Sequence, residues 1–216
     1  MGKGFFISFE GTEGCGKSTQ AKLLEKYLKG LGKKVVSSLE PGGTKVGRQI
    51  RNILLSTQEP LVQNAELMLF AADRAQHVEE VIRPALEAGA IVICDRFTDS
   101  TIAYQIGGRK LPEELVRYLN SVSSGGLIPD ITFLLDLSPA VGLPRAIAAS
   151  DLESGKIKKI DRFEKEKIAF HEEVRRTYIQ MAADDPERIK VIDTEKQDIN
   201  KVHEEIKRIV KERIGS

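Results

Sequence analysis

The stretch FFISFEGTEGCGKS, residues 5–18, decides the fold. A short apolar run, Phe5–Phe9, has the look of a strand. It leads into Gly11-Thr12-Glu13-Gly14-Cys15-Gly16-Lys17-Ser18, which fits the pattern G-x-x-x-x-G-K-[ST]. Glycines let the backbone curl until successive N–H groups point at one anion. A helix opening near Lys17 aims its positive end at the same point. Lys17 can reach the β- and γ-phosphates of a nucleoside triphosphate, and the Ser18 hydroxyl can serve Mg²⁺. The residues expected at ATP are Gly11, Thr12, Glu13, Gly14, Cys15, Gly16, Lys17, Ser18 and Thr19. Cys15 reads as a small loop residue, although a helix N-terminus can also make a thiol reactive.

Working outward, Ala21, Leu24, Leu28 and Leu31 recur with helical spacing, and Gly32 closes that helix. Strand signals return at Lys34–Leu39, Ala90–Cys94, Ile131–Leu137 and Ile189–Ile192, with helical stretches between them. Alternation of this kind predicts a five-stranded parallel sheet covered by helices on both faces. Asn64–Ile82 is so rich in apolar residues that it is expected to be buried nearly all round, in a central layer or a subunit interface. Phe163, Phe170, Val174, Tyr178 and Met181 are spaced as one helix face, and Ile199, Val202, Ile206 and Ile209 as another. The polar stretch Ala148–Ile160 reads as a surface loop. No linker divides the 216 residues, so a single domain spanning 1–216 is expected.

Composition narrows the function. The chain is 41% hydrophobic and 30% charged with a net charge of +1, so no global field recruits nucleic acid or an anionic membrane. Cys15 and Cys94 are its two cysteines, without metal-ligand spacing, which suits a reduced cytoplasmic protein. No apolar run approaches the roughly 20 residues of a membrane span.

A second anion site is visible further along. Ile91–Cys94 reads as a buried strand that ends in Asp95-Arg96, at the sheet edge where ligands bind in open parallel folds. Asp95 can organise Mg²⁺ and Arg96 can grip a second phosphate, or the two form a structural salt bridge. Phe70 and Arg74 are one helical turn apart; by spacing alone Phe70 reads as core. No N-K-x-D base-reading motif follows Ser18. Two anion sites in one chain suggest phosphoryl transfer between two nucleotides.

In order, FEGTEGCGKST, LEPGGT (39–44), LFAADRAQ (69–76), DRFTDSTIAYQ (95–105), GLIPD (126–130) and DRFE (161–164) resemble the bacterial thymidylate kinase family across nearly the whole chain. The resemblance implies a three-layer P-loop kinase fold with a short lid at about 142–160, and the reaction ATP + dTMP → ADP + dTDP. It implies that Glu13 lies near the acceptor's 3′-hydroxyl and that Pro41 and Gly42 shape the pocket wall. Phe70 would stack on thymine, with Arg74 at its carbonyl edge or at the nearby phosphate. Arg96 would clamp the acceptor phosphate, Thr101 and Gln105 would read the base, and Tyr104 would pack under the sugar. Arg145 would belong to the lid and, with Lys17, Asp95 and Arg96, make up the catalytic set. Ser18 and Asp95 would hold the metal. A homodimer is implied, consistent with the apolar helix.

Two departures stand out. Leu39 occupies a position that is commonly Arg in relatives. The phosphate loop lacks Arg, while the lid offers Arg145 and then Ile147 and Ala149, so Lys156, Lys158, Lys159 or Arg162 would have to supply further charge. The rival readings are a kinase for another nucleoside monophosphate and a nucleotide-dependent switch with no small acceptor.

Overall fold

A computed structural model describes residues 4–56, 59–154 and 162–215, with the backbone alone at 56 and 149–154. Five strands, β1 (Phe5–Glu10), β2 (Val35–Leu39), β3 (Ile91–Asp95), β4 (Ile131–Asp136) and β5 (Ile189–Asp193), form one sheet in the order β2-β3-β1-β4-β5. Every pairing is parallel. The central strand β1 sends alternate side chains to opposite faces. Ile7 and Phe9 join a core with Leu24 and Leu28 of α1 (Lys17–Gly30) and Val202, Ile206 and Val210 of α9 (Ile199–Ile214). Phe6 joins Val78, Ile82, Val92 and Phe97 on the other face. A strand buried on both sides is mostly apolar, which is why β1, β3 and β4 read as apolar runs; the interior exceptions Ser8 and Thr132 hydrogen-bond each other across β1 and β4.

The remaining helices are α2 (Lys45–Ser56), α3 (Gln63–His77), α4 (Arg83–Glu87), α5 (Thr98–Thr101), α6 (Glu113–Ser124), α7 (Pro139–Ser154) and α8 (Ile168–Asp184). A π-helical segment, Val78–Ile82, joins α3 to α4, and a second, Ile102–Gly108, continues α5. Among the described residues no helix is long and apolar enough to cross a membrane.

Several expectations need correction. Within the single chain the rod beginning at Gln63 is not buried all round, which excludes the central layer of the two expected places and leaves the subunit interface. Its buried face carries Glu66, Asp73, Arg74 and His77, while Met68 is 57% exposed and Ala72 and Ala75 also face solvent. The polar residues point inward because they meet each other and the sheet edge there. Leu31 is 51% exposed, since α1 ends at Gly30 and Leu31 is its C-cap, where the chain begins to turn away towards Gly32 at φ 74°. Phe163 is buried but precedes α8, in a turn rather than on the helix face. The expected loop from Ala148 is helical as far as Ser154, because the run rich in Ala and Leu continues α7 once its first turns are nucleated. Residues 155–160, with Lys156, Lys158 and Lys159, and Asp161 lie outside the described residues.

Candidate active site

The C-terminal ends of β1, β2 and β3 converge on two cavities. The phosphate loop between β1 and α1 curls through Gly11, Gly14 and Gly16, all at positive φ. Gly14 also needs to lack a side chain, since a Cβ there would stand 2.0 Å from the carbonyl oxygen of Gly142 in α7. Lys17 is buried and donates to the carbonyls of Gly11 (3.1 Å) and Thr12 (2.8 Å). It is therefore held inside the loop that would surround a phosphate. Ser18 Oγ hydrogen-bonds Asp95 Oδ2, which brings the two candidate metal ligands together. Two oxygen donors at one point suit Mg²⁺.

A cavity of about 900 Å³ lies beside this loop, lined by Gly14–Gln20, Arg145 and the segment Thr194–Val202. Arg145 is exposed there, on the early part of α7. The wall made by Thr194, Gln197 and Asn200 is absent from the sequence reading. It carries no motif, and it reaches the loop only because α9 packs against α1.

The second cavity, about 300 Å³, is lined on one side by Glu13, Lys17, Ser18, Asp95 and Arg96. Its other walls include Leu39, Pro41, Phe70, Arg74, Thr101, Tyr104, Gln105 and Phe163. The sequence-predicted acceptor residues are thus gathered around one space, except Gly42, which does not line it and donates its N–H to Asp73 instead. Pro41 follows a cis peptide bond from Glu40. Leu39 opens onto this cavity, and Arg51 of α2, which donates to Pro41 O at 2.7 Å, lines it too. Arg51 was missed because nothing in the sequence of α2 distinguishes it from a surface arginine.

Arg96 has φ 73°, the left-handed region that non-glycine residues rarely adopt. That turn points the guanidinium back over the Tyr104 ring, 4.9 Å from its centroid. It donates to Ser100 (3.1 Å), Tyr178 (3.3 Å), Glu13 (3.1 Å) and Tyr104 (3.0 Å). Burial works against its charge, but Tyr104, Tyr178, Glu13 and Glu10 outweigh that and hold it firmly protonated. Beneath it, burial raises the Glu10 carboxyl to about 7, helped by Asp99 and opposed by Arg96 and by hydrogen bonds from Ser100 and Tyr178. Burial would also raise Glu13, but His171, Arg96, Lys17 and Tyr104 overcome it and lower that carboxyl to about 2.

Arg74 is held from four sides. It donates to Glu40 (2.9 Å), Thr101 (2.9 Å), Asn120 (2.7 Å) and the carbonyl of Phe97 (3.2 Å). Glu40 is held in turn by His77, at 2.9 Å. Gln105 donates to Glu66 at 3.1 Å, so its amide is oriented from outside the cavity. Phe70 meets Phe163 at 5.9 Å between centroids, and Phe163 stands edge-on to Tyr104 at 5.7 Å. Arg162 donates to Glu66 and to Leu54 O and lines neither cavity, which corrects its expected use as a lid cation. Glu66 attracts it there as a buried carboxylate that also holds Arg109.

A sequence profile of thymidylate kinases matches residues 9–206. The chain is 51% identical over 189 residues to a thymidylate kinase of Desulfovibrio desulfuricans, covering 87% of both chains. It is 47% identical over 210 residues to one from Maridesulfovibrio salexigens, covering 97% of this chain and 96% of the other. The crystal structure of thymidylate kinase from Ehrlichia chaffeensis superposes with a TM-score of 0.76 at 35% identity, covering 96% of this chain and 98% of that one.

Proposed function

The chain belongs to the thymidylate kinase family, and from that premise we propose how its two cavities divide the work of phosphorylating dTMP with ATP. It is a nucleoside monophosphate kinase. The larger cavity receives ATP, its phosphates in the loop from Gly11 to Thr19. The smaller one receives dTMP, with thymine against Phe70, Arg74, Thr101 and Gln105, and the phosphate toward Arg96. The observation that carries this reading is the adjacency of the two cavities, which share Gly14, Lys17 and Ser18.

The second pKa of a phosphate monoester is about 6, so the acceptor oxygen is already largely ionised at neutral pH and needs no general base. That oxygen bonds to the γ-phosphorus, the bond from γ-phosphorus to the β,γ-bridging oxygen breaks, and ADP leaves. The obstacle is repulsion between two polyanions, so catalysis is positioning and charge neutralisation. Lys17 lines both cavities and Arg96 the smaller one, so both cations stand where the two nucleotides would meet. Arg145 adds charge from the early part of α7. Mg²⁺ held by Ser18 and Asp95 would supply further neutralisation of the triphosphate.

α3 packs with α2 and α6, and all three leave apolar side chains in solvent: Met68, Val46 and Ile53, Tyr118 and Val122. Such a surface supports homodimerisation through these helices. ADP release measured across dTMP, dUMP, UMP, CMP and AMP tests the acceptor assignment. Selective turnover with dTMP is expected. Equal turnover with CMP or AMP would overturn it, and ATP hydrolysis indifferent to every monophosphate would favour a switch.

A further inference from the structure

Glu13 is held from two directions, and the cavity accounts for only one of them. Its Oε1 meets Arg96 and Tyr104. Its Oε2 is buried with no hydrogen-bond partner, and Nδ1 of His171 lies 3.1 Å away. That nitrogen is likewise buried with no hydrogen-bond partner, so each atom has only the other as its ionic neighbour. His171 is wholly buried in α8 and lines neither cavity. Its Nε2 faces the carbonyl oxygen of Phe163 at 3.1 Å.

A carbonyl oxygen only accepts, so Nε2 carries the hydrogen that meets Phe163. Nδ1 lies 3.1 Å from Oε2 of Glu13, which fixes where that carboxylate stands. The other oxygen of the same carboxylate accepts from Arg96 and Tyr104. On α8 the neighbouring Phe170 ring is apolar and packs edge-on, 5.3 Å between centroids.

We propose that His171 is a positioning residue that fixes the acceptor-site carboxylate of Glu13 and the Phe163 wall of the base cavity relative to each other. It touches no substrate. It ties the turn that precedes α8 to the phosphate loop through one rigid ring, so both reach the acceptor in a single arrangement. The inference rests on Glu13 facing the acceptor sugar.

The chain has three histidines, His77, His171 and His203, which makes ¹⁵N-imidazole NMR of the full protein tractable. His171, assigned by its loss in His171→Asn, is expected to show a hydrogen on Nε2, where it meets the carbonyl of Phe163. A ring whose only hydrogen sits on Nδ1 would overturn the proposal without reference to activity. In kinetics, His171→Gln keeps a donor for Phe163 and removes the contact with Glu13. It is expected to lower kcat/KM for dTMP about tenfold, with KM for ATP unchanged. In a Glu13→Gln background the same change is expected to cost less than about twofold. Full additivity of the two losses would overturn the coupling. Unchanged dTMP kinetics in Glu13→Gln would instead overturn the acceptor-site reading of Glu13, and the imidazole spectrum would still decide the contact of His171 with Phe163.

Discussion

Gly14 and Gly142 pack backbone to backbone. A Cβ on Gly14 would stand 2.0 Å from the Gly142 carbonyl oxygen, and one on Gly142 would stand 2.3 Å from the Glu13 carbonyl oxygen. The phosphate loop and α7 can approach this closely only without side chains. The contact connects the triphosphate site to the helix that carries Arg145.

Gly142→Ala tests that contact. The new methyl meets backbone rather than a flexible side chain, so the loop or α7 has to shift. KM for ATP is expected to rise about tenfold or more, since displacements of about 1 Å at a reacting site can cost two orders of magnitude. Steady-state kinetics with varied ATP would show it, and an unchanged KM would mean that the helix yields without moving the loop.

Lys17→Ala removes the ammonium held between the Gly11 and Thr12 carbonyls. kcat is expected to fall about a thousandfold, the scale seen when a preorganised charge is lost. Calorimetric dTMP binding should change little. Arg145 is exposed, so Arg145→Ala should lower kcat more than it raises KM for dTMP, with Tm unchanged. A change confined to KM for dTMP would place Arg145 at the acceptor instead.

The Arg74–Glu40 pair is buried, with side-chain exposures of 3% and 4%. Arg74→Met strands the Glu40 carboxylate and is expected to cost about 3 kcal/mol in urea unfolding. Adding Glu40→Gln should restore part of that loss. A double variant less stable by the sum of both single losses would show that the two residues do not act as a pair.

Asp73 gives a pH prediction. Burial and the nearby Glu40 raise its carboxyl to about 6, against hydrogen bonding from Gly42 and the charges of His77 and Arg74. Between about pH 4 and 6 the folded state therefore binds more protons at this site than the unfolded state. Stability from this group falls as pH rises through that window. Asp73→Asn keeps an acceptor for Gly42 and removes the titration. Above pH 6 the variant is expected to be more stable by about 2 kcal/mol. Urea unfolding at pH 5 and pH 8 checks it; an unchanged difference between the two pH values would refute the shift.

Met68 stands on the outward face of α3. If α2, α3 and α6 bury their apolar side chains against a second copy, Met68→Glu should convert a dimer to a monomer in sedimentation velocity. A wild-type protein that is monomeric at micromolar concentration would remove the basis for this interface.

Much of this molecule is legible without coordinates, for a local reason. The apolar runs at Phe5–Phe9 and Ile91–Cys94 announce strands. Gly11–Ser18 announces the anion loop because its chemistry lies within eight consecutive residues. The order of the sheet, β2-β3-β1-β4-β5, was not legible, since it depends on which strands pair across long loops. Neither was the orientation of α3. Counting apolar residues suggested burial all round, yet Glu66, Asp73, Arg74 and His77 turn inward and Met68 turns out. A polar side chain is buried only when partners satisfy it, and those partners, Gln105, Gly42, Asn120 and Ser38, come from distant parts of the chain. The same holds for Glu13 and His171, 158 positions apart in sequence and 3.1 Å apart in space. Sequence alone determined the strands, the phosphate loop and the family. Tertiary structure decided which charges meet, because the electrostatics of a buried group are set by neighbours that no local pattern records.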